Sequence, residues 1–418
     1  MAVPLRLYRL RPYCLPLVRI HVVDPSSYTP PYDHALCHAL GLAGAEVELI
    51  TSHFAYGPIA TPDRYVRREL FYRATPGAAG GRLRMAAKLA QHVPDMLRYR
   101  RVARVADVVH FQWLPVQHLD VHLLPSGRPL VLTAHDVLPR EPRPGQLAAQ
   151  RHLYDRFDAI VVHSEHGRAR LTDELGADPD RVHVIPHGVF THLAQRASDA
   201  EPPAALPFHT DRLVVLCFGL MRPYKGIDVL LDAWRGVGGG TGIGDGAEIG
   251  GRTGVGRGTE IEDGDPIEGA ELWIAGMPRM DISALQAAAP ANVRFVARFI
   301  GDDELPAYFA RADLVVLPYL QADQSGVLFT ALAFGKPLLL SDVGGFPEIA
   351  ATGAARVVPA GDARSLERAL RELLDDGAAL AKMCVRATAA AEGRYSWEAV
   401  AHAHLGLYGR LLQEGQRR

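Results

Sequence analysis

The sequence has few cysteines, no long apolar run and almost no net charge. Its four cysteines, Cys14, Cys37, Cys217 and Cys384, are scattered without metal or disulfide spacing, which favours a reducing compartment. No apolar run is as long as a membrane span, and a net charge of −2 gives no basic field for nucleic acid. With 418 residues, 48% of them apolar, the composition is typical of a soluble globular protein with two domains.

Two further features are missing. The first sixteen residues, MAVPLRLYRLRPYCLP, lack a continuous apolar core and a small-residue cleavage site, so we expect no signal peptide. The sequence also lacks a cluster of acidic side chains suited to a metal ion. We therefore expect a cytoplasmic protein with no nucleic-acid partner.

Apolar strands alternate with amphipathic helices along most of the chain. Strands are predicted at 17–23, 47–51, 105–110, 130–134, 159–163, 182–185, 213–218, 272–275, 293–296, 313–319 and 338–341. The proline-rich stretch 201–211 is typical of a linker between domains 1–200 and 212–396. The low-complexity stretch 236–269 predicts a flexible insertion in the second domain. The fold class predicted is α/β, with two doubly wound, Rossmann-like domains facing across a cleft.

Residues 313–348 predict a strand, a polar loop, a helix from Gly326 to about Phe334, and a second strand. A helix beginning there points free N–H groups and a partial positive charge into the crevice above the sheet, where phosphate can bind. Asp323, Gln324 and Ser325 lie at that same edge. An ordinary βαβ unit with polar loop residues remains open as the alternative.

A second candidate site lies about a hundred residues earlier. The predicted strand 213–218 is followed by a glycine turn, Gly219 to Gly226, that carries Arg222 and Lys225 three positions apart. Two cations beside a strand-to-helix turn suit a diphosphate, because each can donate charge-assisted hydrogen bonds to its oxygens.

The segment SGVLFTALAFGKPLLLSDVGGFPE resembles the donor site of the retaining, two-domain nucleotide-sugar glycosyltransferases of family 4, which have the B fold. The Arg-x-x-Lys-Gly pattern at Arg222 matches the same family. Many members carry two glutamates in the donor segment, but counting back from Lys336 places Ala322 and Thr330 there. The chain instead resembles a subgroup with Asp-Gln-Ser-Gly in the loop.

The resemblance implies a hexosyltransferase-type enzyme that uses a nucleotide diphosphate sugar, retains the anomeric configuration and needs neither metal nor other cofactor. Arg222 and Lys225 would neutralise the leaving diphosphate. Gly219, Ser325, Gly326 and Val327 would lie against phosphate, Asp323 with Gln324 would hold the sugar, and Thr330 would meet the ribose. A closing helix, 397–418, would pack back on the first domain.

Four histidines follow four predicted strand ends of the first domain, namely His110, His135, His163 and His187. Such ends face one crevice in a doubly wound sheet. We select His135 as a catalytic candidate and its neighbour Asp136 as a substrate-binding one. A purely structural role for each histidine stays open.

A basic stretch, 82–104, combines seven cations and one acid with apolar residues at helical spacing. It predicts either a helix in peripheral contact with an anionic membrane, on the inner face, or an ordinary solvated surface helix.

Other classes of function also remain open. The absence of the two glutamates favours a non-catalytic sugar-nucleotide binding protein. A phosphorylase or an epimerase on the same fold is disfavoured, because the sequence offers neither a lysine-bound cofactor site nor paired catalytic carboxylates. The acceptor is unknown, and a glycan, a lipid-linked sugar or a small molecule would each fit the sequence.

Overall fold

Two parallel β-sheets flanked by helices make up the computed structural model. The structure describes residues 18–55, 57, 59–75, 81–138, 145–196, 211–238 and 269–417. The predictions for the amino-terminal sixteen residues, the proline-rich linker and the glycine-rich insertion fall almost wholly outside these residues and stay predictions.

The first sheet has seven strands in the order β3-β2-β1-β4-β5-β6-β7, all parallel. Its strands are β1 Arg19–Asp24, β2 Glu46–Ser52, β3 Val66–Phe71, β4 Val108–Phe111, β5 Leu130–Thr133, β6 Ala159–Val162 and β7 Val182–Val184. Its helices are α1 Pro30–Leu42, α2 Arg82–Val102, α3 Gln117–Leu123, α4 Gln146–Tyr154, α5 Glu165–Ala169 and α6 Thr191–Gln195. The order reverses between β1 and β4, which makes this the switch point where open sheets bind ligands.

The second sheet has six parallel strands in the order β10-β9-β8-β11-β12-β13. They are β8 Leu213–Phe218, β9 Ala270–Ala275, β10 Val293–Val296, β11 Leu314–Leu317, β12 Leu338–Ser341 and β13 Ala355–Val358. The remaining helices are α7 Ile227–Gly238, α8 Ser283–Ala287, α9 Leu305–Arg311, α10 Gly326–Ala333, α11 Phe346–Ala350, α12 Ala363–Asp375, α13 Gly377–Glu392 and α14 Trp397–Arg417. Here the switch point lies between β8 and β11.

The central strands are short apolar runs because helices cover both faces of each sheet. Every residue of β11 and β12 is buried, and the side chains on alternate faces belong to two separate apolar cores. The fold therefore holds the loops that follow these strands on a rigid platform.

The carboxyl-terminal helix α14 connects the second domain to the first. Its apolar face, including Val400, Leu407 and Tyr408, packs into the core formed by α1 and β1. At the start of the helix, Trp397 Nε1 donates a hydrogen bond of 2.8 Å to the carbonyl oxygen of Val189. The ring fills the space beside Gly188, where a Cβ would lie 2.4 Å from it. The two sheets are thus joined at a second point besides the linker.

The predicted fold class, two doubly wound Rossmann-like domains, is confirmed. Two strands, β3 and β13, were not predicted, and both lie at sheet edges. The strand predicted to begin at Val105 begins at Val108, because Ala103–Val105 forms a 3₁₀ turn after α2. The predicted strands 213–218, 293–296 and 338–341 match β8, β10 and β12 residue for residue.

Candidate active site

The two donor-side motifs lie on either side of the switch point of the second sheet. Gly219, Arg222 and Lys225 follow β8, whereas Asp323, Gln324 and Ser325 follow β11, and these strands are hydrogen-bonded neighbours. A Cβ on Gly219 would lie 3.2 Å from Val327 Cγ2, so the glycine turn touches the first turn of α10. The fold brings together two stretches a hundred residues apart, as the sequence predicts.

The turn after β8 depends on glycines at positive φ. Gly219 has φ +116°, and the neighbouring Gly276, at φ +143°, would place a Cβ 1.9 Å from the Gly219 carbonyl oxygen. Gly226 has φ +63° and would place one 2.0 Å from the Pro318 oxygen. Side chains at these positions would separate the turn from β9 and β11. The glycines thus hold the exposed Arg222 and the half-buried Lys225 at the sheet edge.

Lys225 is connected to the start of α10 through one aromatic ring. Its Nζ lies 3.6 Å from the centroid of Tyr319, a cation–π contact. The Tyr319 hydroxyl lies 3.2 Å from Ser325 Oγ, at the residue that caps α10. The first amides of a helix have no acceptor inside it, so those of Gly326 and Val327 point into the same crevice as the Lys225 turn.

Asp323 pairs with the opposite domain. Its Oδ1 accepts a hydrogen bond of 2.9 Å from Arg170 Nη1, which lies in the π-helical turn after α5. A second contact across the cleft joins the backbone N–H of His166 to Glu348 Oε1 at 3.2 Å. Arg170 also pairs with Glu174, so its charge is shared between two carboxylates.

The Asp-Gln-Ser-Gly loop rests on the glycine pair that follows β12. The amide of Gly345 donates to the Asp323 carbonyl at 3.1 Å. A Cβ on Gly344, at φ +55°, would lie 2.0 Å from the Ala322 oxygen, and one on Gly345 would lie 2.3 Å from Gln324 Nε2. The sequence marked these glycines only as the end of a strand. In the structure they allow the loop to pack directly against the backbone that follows β12.

Thr330 lies on the buried side of α10. It is 5% exposed, and its hydroxyl donates to the Gly326 carbonyl at 3.0 Å. The hydroxyl proton is therefore already used, and the oxygen could meet a ribose only as an acceptor. Its assignment to the ribose stays a prediction.

Three of the four histidines converge on the first-domain side of the cleft. Neighbouring rings of His135, His163 and His187 have centroids 5.1 and 5.3 Å apart, and Tyr32 contacts all three. His187 stacks on Phe329 of α10 at 4.5 Å, which brings the cluster against the donor helix. His110 lies apart, buried between Tyr408 and Thr133, and its contacts are those of a structural residue.

The hydrogen bonds of this cluster show which ring nitrogens of His163 and His135 carry a proton. His163 Nδ1 lies 3.0 Å from the Ile185 carbonyl oxygen, which can only accept, so Nδ1 carries a proton. Burial lowers the pKa of His163 to about 4, so the ring is neutral at pH 7 and its Nε2 accepts. His135 Nδ1, 3.3 Å away, is then the donor.

The orientation of His135 follows from that assignment. Its Nε2 keeps a lone pair and lies 3.1 Å from Gln112 Oε1, which can only accept. The hydrogen bond therefore requires the Gln112 amide to be turned over, so that its NH₂ group, otherwise buried without a partner among the described residues, donates to His135 Nε2. Burial, and then the neighbouring His163 and His187, hold the pKa of His135 well below its usual range. His135 is therefore neutral and fixed in place, and a ligand would reach Nε2 by displacing Gln112.

The other predicted and unpredicted residues can also be placed. Asp136 is exposed beside His135. Arg170, Tyr319 and Phe329 were not predicted as part of the site. Each belongs to it only through a contact that forms in the folded chain, and no local sequence pattern marks that contact. Within the described residues no group of three or more histidine, cysteine, aspartate or glutamate side chains is arranged so that it could hold a metal ion. In the same part of the chain no helix is long and apolar enough to cross a membrane.

Two sheets whose switch points face one cleft, with cations and a helix start on one side and a histidine cluster on the other, define a two-domain transferase architecture of the B type. Comparison with known families finds a glycosyltransferase model for each half of the chain. Residues 32–193 match the model described as Glycosyltransferase Family 4, and residues 259–376 match Glycosyl transferases group 1. The chain therefore carries glycosyltransferase domains in both halves, one that matches family 4 and one that matches group 1.

Individual relatives agree with this assignment. The D-inositol 3-phosphate glycosyltransferase of Kineococcus radiotolerans is 27% identical over 352 residues, covering 75% of this chain and 74% of the relative. That of Nocardia farcinica is 26% identical over 396 residues, covering 90% and 83%. Among solved structures, sucrose-phosphate synthase from Thermosynechococcus elongatus superposes with a TM-score of 0.68 at 19% identity, over 95% of this chain and all of that one. Anabaena HepE in complex with UDP-glucose gives 0.64 at 16% identity, over 94% and 100%.

Proposed function

We propose that this glycosyltransferase moves a sugar from a nucleoside diphosphate sugar to a hydroxyl of an acceptor, with retention at the anomeric carbon. The second domain holds the donor and the first holds the acceptor. The observation that carries the proposal is the contact between the Arg222–Lys225 turn and the first turn of α10. It concentrates two cations and free helix amides at one switch point.

Each donor-side group has a distinct task in this proposal. Arg222 and Lys225 neutralise the negative charge that grows on the leaving diphosphate, so a metal ion is not needed there. Ser325, Gly326 and Val327 offer their amides to the phosphates, and Gly219 lets the backbone approach closely. The HepE complexes, with UDP-glucose and with UDP, support this kind of donor on the same fold.

The sugar lies between Asp323 and the histidine cluster. Asp323 Oδ1 accepts from Arg170, which leaves the second carboxylate oxygen for a sugar hydroxyl. Gln324 is the second sugar contact, and its Oε1 is buried without a hydrogen bond among the described residues. His135 meets the sugar or the acceptor from the opposite side, with Asp136 at the outer edge.

Peripheral contact with an anionic membrane is a further part of the proposal. The second half of α2 is packed into the domain by Met96 and Tyr99, while Met85 and Leu89 in its first half are 74% and 55% exposed. Exposed apolar side chains among arginines and lysines are typical of helices that lie on anionic lipid.

The proposal is tested by incubating the protein with a panel of nucleoside diphosphate sugars and detecting sugar release and transfer by mass. Release of one sugar with its nucleoside diphosphate supports catalysis. Binding of a nucleoside diphosphate sugar without any turnover, with every acceptor class tried, would favour the non-catalytic alternative.

A further inference from the structure

A basic pocket lies on the first domain, outside the histidine cluster. It lies at the carboxyl ends of β2 and β3, the edge of the sheet that faces the cleft, and α2 closes one side. Ser52 and Tyr72 contribute from the strand ends and Lys88 from the helix. None of its residues belongs to the donor side.

The pocket has a strong excess of positive charge. Among the described residues that line it, five have cationic side chains and only Glu69 has a carboxylate. The cationic residues are Arg67, Arg68, Arg73, Arg84 and Lys88. Three of these arginines have hydrogen-bond or ion-pair partners: Arg68 pairs with Glu48 at 2.6 Å, Arg73 Nε donates to the Glu69 carbonyl at 2.6 Å, and Arg67 Nη1 donates to the Ala60 carbonyl at 3.0 Å.

Lys88 is the residue whose charge is least compensated. Its ammonium is half-buried and lies 5.0 Å from the centroid of the Tyr72 ring, and it forms no ion pair with any described residue. Burial, and then the nearby charge of Arg84, lower the pKa of Lys88. An anion in the pocket would offset both effects, because it would replace the lost hydration and screen the repulsion.

The floor beneath Lys88 is rigid. Tyr72 is held at φ +54°, a conformation that non-glycine residues rarely adopt. Its hydroxyl lies 2.8 Å from His92 Nδ1, and His92 Nε2 lies 2.6 Å from Asp120 Oδ1. Its backbone N–H donates to Asp95 at 2.8 Å. A strained backbone held by buried contacts is more often found at binding sites than elsewhere.

The pocket also adjoins the catalytic cleft. The Tyr72 hydroxyl interacts with Ser26, in the loop after β1. In the same loop Tyr28, 60% exposed, lies 5.3 Å from the ring of Trp113, and Trp113 stacks on His135 at 5.1 Å. An aromatic surface that suits a sugar ring therefore runs from the basic pocket to the predicted transfer site.

We propose that the acceptor carries a phosphate group and that this pocket binds it, with Lys88 as the central contact. The inference rests on the proposed function, since it gives the acceptor of that reaction its chemical class. A phosphate monoester of a small sugar and the phosphodiester of a lipid-linked acceptor would bind by the same contacts.

The first test uses inorganic phosphate as the probe, in a chain that carries Arg222→Ala and Lys225→Ala so that the anion site of the donor side is weakened. Calorimetry should detect phosphate binding. Lys88→Gln should weaken it about tenfold or more, the range for a charged hydrogen bond, whereas Lys88→Arg should retain most of it. The matched control is Arg101→Gln, which removes an exposed cation of the same helix outside the pocket.

Two results would overturn the proposal. One is the absence of phosphate binding by the parent chain, and the other is equal binding by Lys88→Gln and Arg101→Gln while both variants melt at the parent temperature. Failure of the proposed function is separable, because it would appear as loss of nucleotide-sugar turnover with Lys88-dependent phosphate binding intact.

A second arm identifies the source of the phosphate. Glucose 6-phosphate is titrated against the same variants, and sedimentation is measured with phosphatidylglycerol and with phosphatidylcholine vesicles. A soluble acceptor predicts a Lys88-specific loss with glucose 6-phosphate and similar vesicle binding for both variants. A lipid-linked acceptor predicts the Lys88-specific loss on phosphatidylglycerol. If Lys88→Gln shows no specific loss of binding in either arm, an acceptor-binding role for the pocket is contradicted.

Discussion

Arg170 of the first domain donates a hydrogen bond of 2.9 Å to Asp323 of the second, directly across the cleft. Asp323 is also the residue to which we assign the donor sugar. One carboxylate can therefore act both as a contact that brings the domains together and as a ligand of the substrate. The two roles make different predictions for the two partners.

If Asp323 holds the sugar, Asp323→Ala should lower turnover about tenfold or more, with nucleoside diphosphate affinity close to wild type because that ligand lacks the sugar. Arg170→Ala removes the cross-domain contact and leaves the carboxylate, so its loss should be smaller. Steady-state kinetics and calorimetry measure both effects, with Arg168→Ala as the control, an exposed cation on the same segment. Equal losses for Asp323→Ala and Arg170→Ala would assign Asp323 to the domain contact alone.

Gly344 should be required for the position of the sugar-binding loop. Gly344→Ala forces a Cβ toward the Ala322 carbonyl oxygen at a positive φ, so the loop must move. We expect a marked loss of turnover and a lower melting temperature. Gly409→Ala on α14 is the matched control, because no atom lies within 4 Å of its Cβ position. Wild-type turnover in Gly344→Ala would show that the loop tolerates displacement.

Buried neutral histidines should make the protein sensitive to acid. The pKa of His404 is lowered to about 4 by burial, with the Val400 carbonyl opposing the shift and His163 adding to it. An unfolded histidine titrates near 6.5, so between about pH 6.5 and 4 the unfolded chain binds a proton that the folded chain does not. The contribution of His404 to stability therefore falls as the pH falls through that window.

His404→Gln isolates this effect from other titrating groups. Between pH 7.5 and pH 4 the free energy of unfolding should fall by about 2–3 kcal/mol less in the variant than in the wild type, because the variant lacks the histidine that must be charged. Urea denaturation at several pH values measures it, with the exposed His402→Gln as the control on the same helix. If the free energy of unfolding of wild type and His404→Gln depends on pH in the same way, protonation of His404 does not destabilise the folded state.

Membrane contact through α2 should depend on its exposed apolar residues. Met85→Gln with Leu89→Gln should reduce sedimentation with phosphatidylglycerol vesicles at low salt, and high salt should release the wild type. Val385→Gln removes a comparably exposed apolar side chain from α13 and should have no effect. Equal wild-type partitioning onto neutral and anionic vesicles would identify α2 as an ordinary surface helix.

The donor half of the site could be predicted because its elements are local and strongly marked. Leu338–Ser341 is a buried apolar run between a proline and a glycine pair, and α10 begins at the residue that the sequence indicates. Strand β3, with the sequence VRRELF, was missed because only its last two residues are buried and its charges suggest a surface helix. Arg170 was missed because its partner lies 153 residues away and no local pattern marks the contact.

The central claim is that the Arg222–Lys225 turn and the start of α10 bind the diphosphate of the donor, and calorimetry with a panel of nucleoside diphosphates tests it most directly. At least one nucleoside diphosphate should bind the wild type. Arg222→Ala should weaken that binding by about 1.5–3 kcal/mol, the range for a charged hydrogen bond, and Arg235→Ala, on the exposed surface of α7, should leave it unchanged. Unchanged affinity in a folded Arg222→Ala chain would contradict the account.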